Sequence, residues 1–203
     1  MGDFKIENVL FHFENSLHGD EDVRIVDYLK AYEELSRLFA ELGVVFGFVE
    51  SDVTEKRKIL TDLHSKDQTS YSTVITMVSN ECEDSKNPKE KGSRTLLRLH
   101  RALEFLILFV KNIKDMDTDS TTEMFRASYQ ATLSQHHTWL IRKSVGFAAA
   151  MVPPRPKLVE IMFNEHQDTE ALERTSTKFL EVSTTVYERV QNVYSERGLL
   201  NLS

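Results

Sequence analysis

The sequence predicts an all-α protein of about eight helices joined by short loops. Its 203 residues include only 7 Gly and 4 Pro, so few positions favour the turns that a β-meander needs. Apolar residues recur at spacings of three and four along most of the chain, which is typical of amphipathic helices. No internal repeat, low-complexity tract or shift in composition marks a boundary, and we expect residues 1–203 to form a single domain.

The apolar spacing predicts the individual helices in order. His18-Gly19 ends the first helix, and Pro88 and Gly92 mark the clearest loop. Ser93 is a candidate N-cap for the helix after that loop. The predicted helices are 4–17, 20–39 (as one helix or two), 42–63, 68–82, 94–110, 122–133, 138–150, 157–163 and 168–197, with a loop at 85–92 and a break at 115–120.

Composition excludes several classes of protein. The net charge of −7 argues against bulk electrostatic binding to nucleic acid or to an anionic membrane, although a local basic patch could still act. Cys82 is the only cysteine, which excludes an internal disulfide and a cysteine-based zinc site. No signal peptide or run of 18 apolar residues is visible, and Ile6 departs from the myristoylation pattern. We therefore expect a cytoplasmic protein.

The stretch 94–110 carries charge on a face that should be buried. When it is wound as a helix, one stripe runs through Arg94, Arg98, Arg101, Phe105 and Leu108. A guanidinium on a core-facing stripe is costly unless it is paired or reaches an anion. We interpret this helix as the wall of an apolar cavity that has a cationic mouth.

A second helix also interrupts its apolar face with charge. The face from Val45 to Leu63 is apolar except for Asp52 and Lys56, which are four residues apart and lie one turn above each other. One interpretation is an ordinary salt bridge at the edge of the core, contributing about 0.3–0.5 kcal/mol. The alternative is a polar site shared with the arginine-bearing helix. One carboxylate among three or four cations leaves net positive charge, which indicates an anion such as phosphate.

A histidine pair and the only tryptophan come next. His136 and His137 are adjacent, so we expect at most one to point inward, and either could instead face solvent or cap a helix. Trp139, Arg142 and Lys143 combine an amphipathic ring with cations, which fits contact with a membrane interface. A buried structural tryptophan with solvated basic neighbours explains these residues equally well. No zinc, phosphate-loop or nucleophile-elbow motif occurs, so no catalytic residue is predicted.

Taken together, these residues resemble the glycolipid transfer protein family. The similarity covers nearly the whole chain and is densest in three correctly spaced segments: LFAELGVVFGFVESDVTEK (38–56), RTLLRLHRALEFLILF (94–109) and QHHTWLIRKSV (135–145). The resemblance implies a two-layer all-α sandwich that holds a sphingolipid, with the lipid chains in an apolar cavity and the headgroup at a surface site. It also implies non-enzymatic lipid transfer by a monomer, without a cofactor or a metal.

The resemblance implies a role for each polar residue. Asp52 matches the aspartate that clamps the ceramide amide nitrogen, and His137 matches the histidine that donates to the amide carbonyl. Lys56 matches a second headgroup residue, and Arg94 and Arg98 match arginines that hold a phosphate. The glycolipid-binding branch has tryptophan at the position of Arg98 and asparagine at that of Lys56. Since a guanidinium binds phosphate whereas a sugar needs an aromatic platform, the resemblance implies ceramide 1-phosphate as the ligand.

Further residues resemble family residues outside the set that contacts the headgroup and the amide. Arg101 matches a family arginine and is expected to support the site or face solvent. Trp139 resembles a tryptophan that docks on membranes, and Arg142-Lys143 resembles a dibasic pair linked to phosphoinositide-rich surfaces, which implies transient peripheral association with membranes. Thr138 replaces a proline or glycine, and a shorter N-terminus leaves open how one lipid chain is gated. The expected cavity lining is Leu38, Phe39, Val45, Phe46, Val49, Phe105, Leu108, Leu140, Ile141 and Phe147.

Three other functions remain open from the sequence. The first is a carrier of the same fold for sphingomyelin, a glycosphingolipid or another anionic sphingolipid. The second is a lipid sensor or adaptor that acts on a protein partner, which would use the same pocket. The third is a lipid hydrolase, which would need an activated nucleophile that the sequence does not reveal.

Overall fold

The computed structural model describes residues 4–82, 91–116, 118–163 and 169–202. Most of these residues are helical, which confirms the predicted all-α class. The elements in chain order are α1 (Ile6–Ser16), β1 (Leu17–His18), β2 (Asp22–Val23), α2 (Ile25–Glu41), a 3-10 turn (Val44–Phe46), α3 (Gly47–Lys66), α4 (Val74–Cys82), α5 (Lys91–Asp115), α6 (Thr121–Ala131), a second 3-10 turn (Leu133–His136), α7 (Trp139–Ala149), α8 (Arg155–Phe163) and α9 (Thr169–Glu196).

A small hairpin separates α1 from α2, where the sequence predicted that a helix begins at residue 20. Gly19 has a φ of 54°, which allows the tight turn between the two antiparallel strands. The Asp22 carboxylate then accepts a hydrogen bond of 3.1 Å from the backbone N–H of Ile75, in the first turn of α4. This long-range capping bond holds residues 20–24 outside α2, so the apolar pattern there overestimated the helix.

The predicted helix 42–63 is interrupted at its start. Gly43 has a φ of 108°, and a 3-10 turn follows before α3 begins at Gly47. Within α3 only Val53 and Leu60 are fully buried. The helix therefore lies at the edge of the core and presents its polar residues to the cavity described below.

The central helix α5 is held at both ends by charged side chains from other helices. At its N-terminal end, the buried carboxylate of Glu81 accepts hydrogen bonds of 2.8 Å from the backbone N–H groups of Gly92 and Ser93. At its C-terminal end, the Arg155 guanidinium donates to the carbonyl of Ile113 at 2.5 Å. These charges complement the partial charges of the helix ends. Ser93 lies inside α5, so the prediction that it is an N-cap is wrong.

The predicted helix 68–82 is shorter in the structure, because α4 begins only at Val74. The residues before it form a turn in which the Asp67 carboxylate accepts a hydrogen bond of 3.0 Å from the backbone N–H of Ser70.

The helices from α6 onward begin close to where the sequence predicted. Ser120 and Thr138 cap α6 and α7, since their hydroxyl oxygens accept bonds from the backbone N–H groups of Glu123 and Ile141. The predicted loop 85–92 lies outside the described residues except for its last two, which form the first turn of α5. α5 packs against α3, α4, α6 and α9, so its long apolar face forms the middle of the core.

Candidate functional site

An apolar cavity of about 840 Å³ lies on one side of α5. Its walls come from α2, α3, α5, α6, α7 and α8, and its described lining contains no residue of α1, α4 or α9. The lining is mainly aliphatic and aromatic, and it includes Leu38, Phe39, Phe46, Val49, Phe105, Leu106, Phe109, Phe125, Ile141, Val145, Leu158 and Met162. Such a volume and lining suit a long apolar ligand.

Charged and polar side chains are also part of this lining. Asp52 and Lys56 come from α3, Arg98 and Arg101 come from α5, and His137 follows the second 3-10 turn. The fold thus brings together residues that are separated by more than 80 positions in the sequence. Among the described residues, Asp52 is the one acidic side chain in the lining, so the lysine and two arginines leave it with net positive charge.

The two charged residues of α3 form an ion pair. The Lys56 ammonium group donates to the carboxylate of Asp52 across one helical turn, as their spacing predicted. The lysine side chain is only 12% exposed, whereas the aspartate is 59% exposed. Asp52 therefore keeps a solvent-facing carboxylate oxygen beside the cavity, which can accept a hydrogen bond from a neutral donor.

His137 is half-buried and bonded to α6. Its Nδ1 lies 2.9 Å from the hydroxyl oxygen of Tyr129. Burial lowers the pKa of His137, and the charge of Asp52 partly opposes that shift. The imidazole is therefore neutral near pH 7. In the tautomer that accepts the tyrosine proton at Nδ1, Nε2 carries the hydrogen and can donate to a ligand oxygen.

His136 also belongs to the lining, which corrects the expectation that at most one histidine of the pair points inward. The expectation assumed regular helix or strand geometry. In the structure, His136 ends a 3-10 turn and His137 is extended, with φ −108° and ψ 143°. This change of backbone conformation between neighbours lets both rings reach the same space.

Arg101 has a more specific position than the sequence indicated. Its guanidinium Nη2 donates to the carbonyls of Leu200 at 2.8 Å and Leu202 at 3.4 Å, in the C-terminal tail. Burial and the nearby charge of Arg98 lower the pKa of Arg101. The tail returns to the cavity because a turn at Gly198, with φ 67°, directs it back from α9. Leu202 then lines the cavity, a role that no sequence pattern indicated.

Arg94 is not part of the cavity lining. It lies on an exposed face of the first turns of α5, one helical turn before Arg98. Arg98 is exposed as well, but it contributes to the lining. The structure therefore brings Asp52, Lys56, Arg98 and His137 together and leaves Arg94 outside that group.

Four of the ten residues predicted to line the cavity lie outside its lining, so the prediction is wrong at these positions. They are Val45, Leu108, Leu140 and Phe147. Leu140 and Phe147 are seven residues apart and share the exposed outer face of α7, while the cavity receives Ile141, Val145 and Ala148 from the other face. In the same way, Leu108 is rotated about 100° from Phe109, which lines the cavity.

Several lining residues were not predicted. Tyr129 and Phe125 come from α6, and Leu158 and Met162 come from α8. Each occupies an apolar position with helical spacing. A residue that faces the core and one that faces a cavity show the same apolar pattern in the sequence. Only the arrangement of the helices distinguishes the two.

Large apolar side chains are exposed on two chain segments that also contribute residues to the cavity lining. They are Val44, Phe48, Trp139, Leu140, Phe147 and Met151. We name these six residues the exposed apolar face. Phe48 and Ile141 line the cavity from the same two segments of chain, so the exposed apolar face is continuous along the chain with part of the lining. Lys143 places its ammonium nitrogen 4.1 Å from the centroid of the Trp139 ring, which gives a cation–π contact.

The described part of the chain offers neither a metal centre nor a membrane span. No group of three or more His, Cys, Asp or Glu side chains in it could hold a metal ion. No helix in it combines the length and apolar character needed to cross a bilayer.

The fold and the site define a class: all-α proteins that enclose an apolar cavity with a charged mouth. Comparison with known families agrees with that class. The model of the glycolipid transfer protein family matches residues 23–164, and the chain belongs to this family.

Individual relatives are similar to this chain over nearly their full length. The chain is 35% identical to the ceramide-1-phosphate transfer protein of Danio rerio over 209 residues, covering 98% of each chain. It is 32% identical to the protein of that name from Homo sapiens, covering 98% of this chain and 96% of the relative.

Solved structures confirm the predicted fold. The apo form of the mouse ceramide-1-phosphate transfer protein superposes with a TM-score of 0.90 at 31% identity, covering 98% of this chain and 100% of that one. The human protein in complex with 2:0 ceramide 1-phosphate gives 0.89 at 30% identity, covering all of both chains. The two-layer helical sandwich is therefore the fold of this chain.

Proposed function

We propose that this protein transfers a sphingolipid between membranes without chemical change, and that its preferred cargo is ceramide 1-phosphate. The observation that carries the proposal is the joining of a large apolar cavity to a polar mouth with net positive charge. The relatives named for ceramide 1-phosphate transfer support the same cargo. The proposal assigns this function to one folded domain, and it is supported by the hydrophobic core, which forms one cluster among the residues that the structure describes.

The phosphate is the part of the cargo that the cations recognise. Arg98 and Lys56 bind its oxygens, since charge-assisted hydrogen bonds to phosphate are short and strong. Arg94, one turn away on α5, attracts the headgroup from the exposed side of the site. A galactose ring offers none of these anionic acceptors, and the described lining of the mouth holds no tryptophan on which a sugar could stack.

The amide of the ceramide is recognised by Asp52 and His137. The free carboxylate oxygen of Asp52 accepts from the amide N–H, and the imidazole of His137 donates to the amide carbonyl. Tyr129 orients the imidazole through its 2.9 Å bond to Nδ1. These two contacts would be common to all sphingolipids, so they select the backbone of the lipid and leave selection of the headgroup to the cations.

The alkyl chains supply most of the binding free energy. Each buried CH₂ group contributes about 0.8 kcal/mol, whereas the headgroup contacts replace bonds to water and contribute less. Uptake and release take place at a membrane surface. The exposed apolar face, with Lys143 beside Trp139, inserts into the interface while the cavity mouth meets the lipid.

A transfer assay between vesicles tests the proposal. Donor vesicles would carry one of four fluorescent lipids with the same acyl chain: ceramide 1-phosphate, sphingomyelin, galactosylceramide or ceramide. We expect rapid transfer of ceramide 1-phosphate and much slower transfer of the other three. Recovery of chemically intact lipid from the acceptor vesicles would support transfer without catalysis. Equal rates for all four lipids, or accumulation of dephosphorylated product, would contradict the proposal.

A further inference from the structure

The N-terminal end of α5 is fixed by a buried carboxylate from a neighbouring helix. Glu81, in the last turn of α4, is 1% exposed. Its Oε1 accepts from the backbone N–H of Gly92 at 2.8 Å and from the hydroxyl of Tyr71 at 3.1 Å. Its Oε2 accepts from the backbone N–H of Ser93 at 2.8 Å. A single carboxylate thus bonds two successive amides of the first turn of α5.

A glycine lies where side chains of α4 and Tyr71 approach the backbone of α5 most closely. A Cβ atom placed on Gly92 would lie 2.7 Å from Glu81 Oε1, 2.8 Å from Met77 Sδ and 3.0 Å from Tyr71 Cε1. These distances are shorter than van der Waals contact, so a Cβ atom at this position would force the Glu81 carboxylate, its neighbours or α5 itself to move. The third helix in contact, α9, adds a bond of 2.7 Å from the Tyr194 hydroxyl to the carbonyl of Ser93.

The residues next to this contact include the two arginines to which the proposed function assigns the phosphate headgroup. Arg94 directly follows Ser93, and Arg98 lies four residues after Arg94, about 6 Å further along the helix axis at 1.5 Å per residue. Both side chains are exposed. Their reach toward the phosphate therefore depends on where the backbone of this end of α5 stands relative to α3, which carries Lys56.

From this arrangement we infer that Glu81 is a positioning residue for the headgroup: its carboxylate, seated against Gly92, sets the place of Arg94 and Arg98 without touching the lipid. The inference rests on the proposed function, because it concerns recognition of an anionic headgroup by these arginines. It differs from a general stabilising role because it predicts an effect on the phosphorylated lipid alone.

The charge of Glu81 makes the inference sharply testable. Glu81→Gln keeps the size of the side chain, but its amide nitrogen cannot accept from a backbone N–H, so the paired contact with Gly92 and Ser93 is broken. Removing a negative charge near the arginines would by itself strengthen phosphate binding. A loss of phosphate binding is therefore opposite in sign to the Coulombic effect.

Two further variants change the contact and leave the carboxylate and the arginines in place. Gly92→Ala inserts the obstructing methyl group, and Tyr71→Phe removes only the hydroxyl that holds Oε1. The matched control is Arg155→Gln at the opposite end of α5, where the guanidinium bonds the carbonyl of Ile113. It removes a charged helix cap of the same kind, far along the same helix from the arginines.

The experiment measures the affinity of each variant for fluorescent ceramide 1-phosphate and for ceramide with the same acyl chain, together with its thermal midpoint. We expect the ratio of the two affinities to fall about tenfold in Glu81→Gln and Gly92→Ala, which equals the loss of one charge-assisted hydrogen bond. A smaller fall is expected in Tyr71→Phe, and none in Arg155→Gln even if its midpoint decreases.

The outcomes separate the inference from the proposed function. If the wild-type protein shows no preference for ceramide 1-phosphate over ceramide, both are overturned. If the wild type shows the preference and the variants near Glu81 keep it, or if Arg155→Gln loses it equally, the positioning role alone is overturned. Should Glu81→Gln fail to fold, Gly92→Ala and Tyr71→Phe decide by the same ratio.

Discussion

Replacing Arg98 with leucine removes the guanidinium that lines the cavity mouth and preserves the apolar contact area of its stem. The side chain is exposed, so we expect the free energy of unfolding to change by no more than about 0.5 kcal/mol. Binding of ceramide 1-phosphate should weaken much more. Hydrogen bonds to charged groups contribute about 1.5–3 kcal/mol, which corresponds to a loss of roughly 10- to 150-fold in affinity.

The assay is transfer of fluorescent ceramide 1-phosphate between vesicles, with ceramide of the same chain length measured in parallel. Arg98→Leu should slow transfer of the phosphorylated lipid and leave ceramide unchanged. Arg174→Leu is the control, because it removes an exposed arginine from α9, a helix with no described residue in the cavity lining. Transfer of ceramide 1-phosphate at the wild-type rate by Arg98→Leu would refute the assignment of phosphate to this arginine.

Three other predictions concern the membrane, pH and the cavity wall. Trp139→Ala should reduce sedimentation with vesicles without lowering the thermal midpoint, because the ring is 62% exposed. The control Phe11→Ala, which changes a 60% exposed residue of α1, should leave sedimentation unchanged. An equal loss of sedimentation in both variants would contradict membrane contact through the exposed apolar face. Burial lowers the pKa of His100 to about 4, so the unfolded chain takes up a proton first as the pH falls. The contribution of His100 to the free energy of unfolding should therefore be fully present above pH 6.5 and decrease by about 3 kcal/mol toward pH 4. In urea titrations, His100→Gln should lack this pH dependence if His100 causes it. Tyr32→Phe removes a buried bond of 2.5 Å to the carbonyl of Leu99 and should lower the free energy of unfolding by about 1 kcal/mol; an unchanged urea midpoint would show that this bond contributes nothing.

Much of the fold could be predicted because helices depend on residues that are close in sequence. The apolar period of 3.6 located most helices, and Ser120 and Thr138 cap two of them by short-range bonds. Errors arose where a distant residue determined the backbone. The segment after Gly19 pairs as a strand because Asp22 bonds to α4, and Ser93 is helical because Glu81 caps the helix end in its place. Neither partner can be read from local sequence.

Part of the candidate site was predictable for a different reason. Charge on an apolar helical stripe is costly, so Asp52, Lys56 and Arg98 are conspicuous in the amino-acid sequence alone. Tyr129 is not conspicuous there, because a tyrosine at an apolar position fits an ordinary core. The bonding partner of His137 Nδ1 is therefore evident only once α6 lies beside the second 3-10 turn.

By itself, the sequence determined the helical class, the cationic character of one face of α5 and the charged pair of α3, since each depends on residues three or four positions apart. The tertiary structure alone decided which of those charges meet. It left Arg94 outside the cavity lining, turned Leu140 and Phe147 outward, and brought the C-terminal tail to Arg101. The physical reason is that helical periodicity defines a face, whereas the rotation and packing of each helix against its neighbours decide what that face contacts.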